Sequence, residues 1–398
     1  MDPLLNPYAP GAGTPPPELA GRDAILADAR LAIQRNRSGQ SARSFMFVGL
    51  RGVGKTVLLN EVQAMAEEEG ALTDFIEIGS NEPLPRVVIA TLRSILLKLD
   101  RIRGVSEHVK KGLRVLKSFV GSVTVKVEGI EFSVDIDGEP GVADSGTLSR
   151  DLAEVFVAAG EAAKARQSSI VILIDEIQNL PTEDFEALIM AVHRVDQKRL
   201  PLLVVGAGLP HLVRLSGSAK TYAERLFEYP DIGPLEQSDA RRALVMPAAR
   251  ADVEFEEESI SAVVNETQGY PYFLQEWGYQ VWNTAMVSPI TTEDIERSSA
   301  TVIERLDRNF FRSRYERLSD PQKAYLYAMA MCGPGPHRTG EIAKELGKSS
   351  QQLGPTRDAL IISGMIYSPR YGYAAFTVPL FDAFMKRIQG PTPPQATD

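Results

Sequence analysis

SFMFVGLRGVGKT, residues Ser44–Thr56, is an apolar run followed by three spaced glycines and a Lys-Thr pair. Ser44 to Val48 predicts a buried strand, and the periodicity after Lys55 predicts a helix to about Glu69, stopped by Gly70. Binding a triphosphate needs backbone N–H groups converging on anionic oxygens, and only glycine lets the chain approach that closely. Gly49, Gly52 and Gly54 meet this need, with Arg51 and Val53 set between them. The helix beginning Lys55-Thr56-Val57 adds its positive amino end, roughly half a unit charge. Lys55 is placed to reach the terminal phosphates, and the Thr56 hydroxyl to ligate Mg²⁺. The expected cofactors are ATP and Mg²⁺.

A second stretch reinforces the first. IVILIDE, Ile170–Glu176, is a strand of buried type ending in two carboxylates. Asp175 can hold the magnesium hydration shell and Glu176 can polarise an attacking water. A solvated strand end is the alternative, and the upstream glycine loop argues against it. Between and beyond these stretches, strands at about Asp74–Ile78 and Leu202–Val205 alternate with helices at about Glu18–Arg35, Pro85–Leu99, Thr147–Arg166 and Thr182–Gln197. Such alternation predicts a parallel sheet covered by helices on both faces, an α/β fold. Val123–Val127 and Ile130–Ile136 alternate apolar and polar around Glu128-Gly129, which predicts an inserted hairpin. From about Leu235 the pattern turns helical.

The whole set resembles a known family. GLRGVGKT, IVILIDE and the lead-in Leu19-Ala-Gly21-Arg22-Asp23, followed by helices and a helix-turn-helix pattern, resemble the AAA+ and STAND P-loop ATPases, especially their origin-recognition-like branch. The resemblance implies an arm at 1–17, an AAA+ type ATPase core at 18–235 with the hairpin insertion at about 103–140, a helical lid and linker at 236–317, a winged helix at 318–390 and a tail at 391–398. It implies that Gly21-Arg22-Asp23 frames the adenine, a helix cap being the alternative. Gly269-Tyr-Pro271 resembles the lid motif whose proline lies near the nucleotide, a turn opening a core helix being the alternative. Arg225 is the candidate for the arginine that reaches a neighbouring subunit's triphosphate, or else an exposed helix arginine. Two departures stand out. The turn after the fourth strand, Val205-Gly-Ala-Gly-Leu-Pro210, has no polar side chain, and the lid helix opens with Pro271 and Tyr272 where AAA+ lids often carry arginine. Both point to slow hydrolysis, with the nucleotide acting as a switch on assembly or partner binding.

Charge bears on partners. The net charge of −9 gives no general attraction to nucleic acid. Residues 340–357 have helix-turn-helix character, so Lys348, Arg357 and, in the wing, Arg370 are candidates for duplex DNA. Yet residues 319–398 carry eight Lys and Arg against six Asp and Glu, a weak footprint for DNA. The other reading is a regulatory or defence switch working through protein contacts, within a nucleotide-dependent homo-oligomer. Residues 101–117 are more basic, and their apolar positions share one helix face, so they form either a solvated amphipathic helix or a positive surface. Tyr270, Tyr272, Phe273, Trp277 and Trp282 recur at helical spacing and are expected in the lid core. Cys332 is the one cysteine, and Met1–Pro17 lacks the basic start and apolar run of a signal peptide, which suits a reducing cytoplasm.

Overall fold

The computed structural model describes residues 1–11, 13–79, 82–103, 106–123, 137–219 and 223–388. The expected hairpin at 123–136, apart from Val123, and the tail at 391–398 lie outside the described residues. The chain divides into two compact units. One comprises 22–49 and 55–232; the other comprises 1–21, 50–54 and 233–398.

The first unit is an α/β layer. Its elements are α1 (Asp23–Arg37), β1 (Ser44–Gly49), α2 (Lys55–Glu68), β2 (Leu72–Glu77), α3 (Leu84–Arg103), α4 (Glu107–Ser122), α5 (Leu148–Ala165), β3 (Ile170–Asp175), α6 (Thr182–Gln197), β4 (Leu202–Gly208), α7 (His211–Ala219), α8 (Ala223–Leu226), β5 (Phe227–Glu228) and β6 (Asp231–Ile232). The sheet runs β2-β3-β4-β1-β5, with β6 also on β1, and every pairing is parallel. Every residue of β1, β3 and β4 is buried, as expected of central strands covered on both sides. The helix expected from Glu18 starts instead at Asp23, because Gly21 turns the chain at φ +69° just before it.

Residues 107–122 resolve towards structure. Val109, Leu113, Leu116 and Phe119 of α4 join the core beneath α3 and α5. Lys110, Lys111 and Arg114 on the outer face pair with Glu107, Glu161 and Glu139 at 3.2, 3.8 and 3.5 Å. Three of the cations that suggested a positive surface are therefore locally answered, while the side chains of residues 101–105 lie outside the described residues.

The second unit is mostly helical. A bundle of α9 (Gln237–Ala249), α10 (Glu257–Thr267), α11 (Pro271–Thr284) and α12 (Thr292–Leu306) continues through a π turn at Asp307–Phe311 into α13 (Arg312–Tyr315). Then come α14 (Asp320–Met331), β7 (His337–Arg338), α15 (Thr339–Glu345), α16 (Ser350–Ile362), β8 (Ile366–Tyr367), β9 (Tyr373–Phe376) and α17 (Phe381–Arg387), the strands forming an antiparallel sheet in the order β7-β9-β8. The π turn brings Phe310 and Phe311 inward together. Phe310 stacks on Tyr272 at 4.8 Å, and Phe311 meets Phe273, Phe381 and Phe384 at 6.0, 5.6 and 5.3 Å. Of the five aromatics expected in the core, Tyr270, Phe273, Trp277 and Trp282 are buried and Tyr272 is half-buried.

The arm has no core of its own and borrows that of the bundle. Tyr8 is buried against Gly278 and donates to the Leu244 carbonyl. The Asn6 amide donates to the Tyr279 carbonyl and to Asn283 Oδ1 at 3.0 and 2.9 Å.

Candidate nucleotide-binding site

The carboxyl ends of β1, β3 and β4 lie side by side in the sheet, the edge where parallel α/β sheets hold ligands. β1 ends at Gly49, which is held to glycine by crowding: a Cβ there would lie 2.2 Å from the Ile232 carbonyl oxygen. Gly52 and Gly54 have φ of +82° and +95°, values that other residues adopt only under strain. α2 begins at Lys55, so the loop's backbone N–H groups and the helix's amino end follow one another directly. Lys55 is buried to 7% exposure and Thr56 is half-buried.

Thr56 meets the end of β3. Its hydroxyl donates to Asp175 Oδ2 at 2.6 Å, and the Glu176 N–H donates to Asp175 Oδ1 at 2.8 Å. Burial pushes the Asp175 carboxyl above its ordinary pKa, against the pull of the Thr56 and Glu176 hydrogen bonds; the Glu176 charge adds to the rise and Lys55 opposes it. Two hard oxygens thus stand together beside a lysine, donors of the kind that could hold Mg²⁺. Glu176 has a left-handed backbone (φ 51°), which turns the chain sharply as it leaves the strand.

Sequence reasoning missed Gln178. It lies in the 3-10 turn Ile177–Asn179, where its amide donates to Glu176 Oε2 and its Oε1 accepts from the Leu209 N–H at 3.1 Å. The turn after β4 has no polar side chain of its own, yet a polar group stands at that turn all the same, contributed by Gln178. Asn179 fixes the other side by donating to the Ile78 carbonyl at 2.9 Å. The only signal was an amide two residues after the acidic pair.

Residues 18–205 match the family described as the AAA ATPase domain. Over this stretch, just under half of its length, the chain is similar to the AAA ATPase domain. The match supports ATP hydrolysis to ADP and phosphate as its reaction. Residues 308–385 match a family described as a domain of unknown function (DUF8462). No curated protein matches the chain. Among solved structures, a Walker-type ATPase of Pyrococcus abyssi is 14% identical, with 92% of this chain and 96% of that one covered and a TM-score of 0.56. A Thermotoga maritima RuvB variant is 16% identical over 94% and 97%, at a TM-score of 0.45. An Aeropyrum pernix Orc1 protein in complex with DNA is 17% identical over 93% of each chain, at 0.44. The first likeness shows a shared fold and nothing more specific.

The remaining expected site residues of the ATPase are spread through the chain. Arg225 is exposed on α8. Arg22 is buried at the start of α1, and Gly21 lies against Asp239, whose Oδ2 would be 2.8 Å from a Cβ there. Pro271 is the first residue of α11, a position where its missing N–H costs no helical bond. Lys348 and Arg370 are exposed. Arg357 is corrected as a DNA candidate, because its guanidinium is turned into the β8–β9 hairpin. It donates to Ser368 Oγ at 3.1 Å and to the Tyr373 carbonyl at 3.4 Å. No helix among the described residues is long and apolar enough to cross a membrane.

Proposed function

We propose that this ATPase binds ATP·Mg²⁺ at Gly49–Val57, hydrolyses it slowly, and uses the nucleotide state as a switch on assembly or partner binding. The observation that carries the reading is the 2.6 Å bond from Thr56 to Asp175, formed where α2 leaves a loop of two positive-φ glycines. When bound, Mg²⁺ would supply charge neutralisation for the phosphates, held by the Thr56 hydroxyl and, through its hydration shell, by Asp175. Lys55 neutralises terminal phosphate charge. Glu176 takes the proton of an attacking water, and Gln178 fixes its carboxylate. Gln178 at the end of β4 removes one reason to expect slow turnover. What supports it now is the lid helix, which opens with Pro271 and Tyr272 and so brings no arginine in its first turn.

Arg225, Gly21, Arg22 and Pro271 enter the proposal as the residues that the family resemblance assigns to a trans arginine, an adenine frame and a lid contact. Nucleotide binding measured with Lys55→Ala tests the reading; unchanged ATP affinity overturns it. Loss of turnover on Arg225→Ala, restored by mixing with Lys55→Ala chains, tests the shared site, and full activity of Arg225→Ala removes it.

The β8–β9 hairpin favours duplex DNA as one output. Helices α14, α15 and α16 with the three-stranded antiparallel sheet suit a winged helix. Arg370 lies 3.8 Å over the Tyr373 ring and Arg338 donates to the Tyr373 hydroxyl at 2.9 Å, so two arginines crowd one exposed edge. With Lys348 they form the proposed DNA face, without Arg357. The protein-contact reading stands if duplex affinity matches that of a neutral control protein.

A further inference from the structure

The Tyr270 hydroxyl faces two acceptors with one proton. It lies within hydrogen-bond reach of the Arg51 carbonyl in the phosphate loop and 3.1 Å from the Thr377 carbonyl just beyond β9. A phenol donates one hydrogen bond and a carbonyl donates none, so only one of the two carbonyls is fully served at a time. Tyr270 is 1% exposed, and burial raises its pKa further above the ordinary tyrosine value, so the proton stays on.

Each acceptor belongs to a different part of the same unit. A Cβ on Gly52 would lie 3.0 Å from the Tyr270 ring and 3.5 Å from the Phe310 ring, so both rings pack on the loop. Thr377 is tied into the C-terminal sheet region: its N–H donates to the Met365 carbonyl at 3.1 Å and its hydroxyl to the Gly364 carbonyl at 2.7 Å. The Arg51 carbonyl shares a planar peptide unit with the Gly52 N–H. A phosphate that reorients this N–H turns the whole plane, and the carbonyl on its other side turns with it.

We propose that Tyr270 is a positioning residue whose hydroxyl couples the phosphate loop to the C-terminal region, donating to Arg51 in one nucleotide state and to Thr377 in the other. This coupling rests on the ATP reading above and assigns that switch its internal contact. It is reciprocal: whatever ligand state frees or holds Thr377 shifts nucleotide affinity by the same factor.

Amide hydrogen exchange, read with and without a slowly hydrolysed ATP analogue and Mg²⁺, tests the coupling in the full chain and in Tyr270→Phe, which loses the hydroxyl and keeps the ring. In the unmodified chain the analogue should change exchange across residues 364–378 by more than about twofold. In Tyr270→Phe that change should vanish while the analogue still binds. Tyr270→Phe retaining the full change overturns the coupling, as does an unmodified chain that binds the analogue with no change at 364–378. The second comparison needs no variant, so misfolding of Tyr270→Phe leaves the test intact. If the unmodified chain fails to bind the analogue at all, the ATP reading falls, and the coupling with it.

Discussion

Asp175 and Glu176 are neighbours in sequence with different surroundings. Asp175 is buried with its carboxyl pKa raised, while Glu176 is half-buried and held by an amide. A raised folded pKa means that ionising Asp175 costs stability as pH climbs from the ordinary carboxylate value through the raised one. Asp175→Asn should therefore raise the Tm of the nucleotide-free protein at neutral pH while abolishing Mg²⁺-dependent turnover; a lowered Tm in calorimetry would refute this effect of burial. Glu176→Gln should keep nucleotide affinity and stop hydrolysis, so intact turnover would refute its assignment as base. Gln178→Ala should lower kcat about tenfold with little change in KM, a fraction of what a well-placed base contributes. Steady-state kinetics decides it, and an unchanged kcat would reduce Gln178 to a packing residue. The acidic pair was legible because an apolar strand downstream of a glycine loop delivers its last residues to the ligand-binding edge of a parallel sheet. Gln178 was not, because its meaning depends on Leu209, which only the fold brings near.

Elements were legible in proportion to their length and periodicity. β1, β3 and β4 read as apolar runs and α2 as a periodic helix, whereas β5 and β6 are two residues each and carry no period at all. The amphipathic face of α4 was readable, but the acidic partners of Lys111 and Arg114 were not, since Glu161 and Glu139 lie on other segments. In α16, Ser349 and Gln352 form a reciprocal cap that fixes where the helix begins, yet nothing local showed that Arg357 would turn into the β8–β9 hairpin. The arm was legible as coreless, and Tyr8 is what anchors it. Tyr8→Ala removes a fully buried ring and should cost roughly 3 kcal/mol in urea denaturation of the chain. A loss below about 0.5 kcal/mol would show the arm to be loosely attached.

At the scale of the whole molecule, the net charge of −9 makes any DNA binding a local matter. If the β8–β9 hairpin is the contact, duplex affinity should fall with rising salt, and Arg338→Ala with Arg370→Ala should flatten that slope by about two ion equivalents. Salt-independent binding would remove DNA as an output. The partner itself was never legible, because a C-terminal surface of near-neutral charge suits nucleic acid and protein alike. The expectation of a nucleotide rests on Ser44–Thr56 alone, since a strand, a glycine loop and a Lys-Thr helix start meet one physical need.

The most direct measurement is calorimetric titration of the full chain and of Lys55→Ala with a slowly hydrolysed ATP analogue in Mg²⁺. The unmodified chain should bind one analogue per chain, with Mg²⁺ required for full affinity, and Lys55→Ala should bind at least about a hundredfold more weakly, the loss expected when a buried charge-assisted contact to phosphate is removed. Equal affinity in the two proteins, or no binding to the unmodified chain, would contradict the claim that Gly49–Thr56 holds the nucleotide.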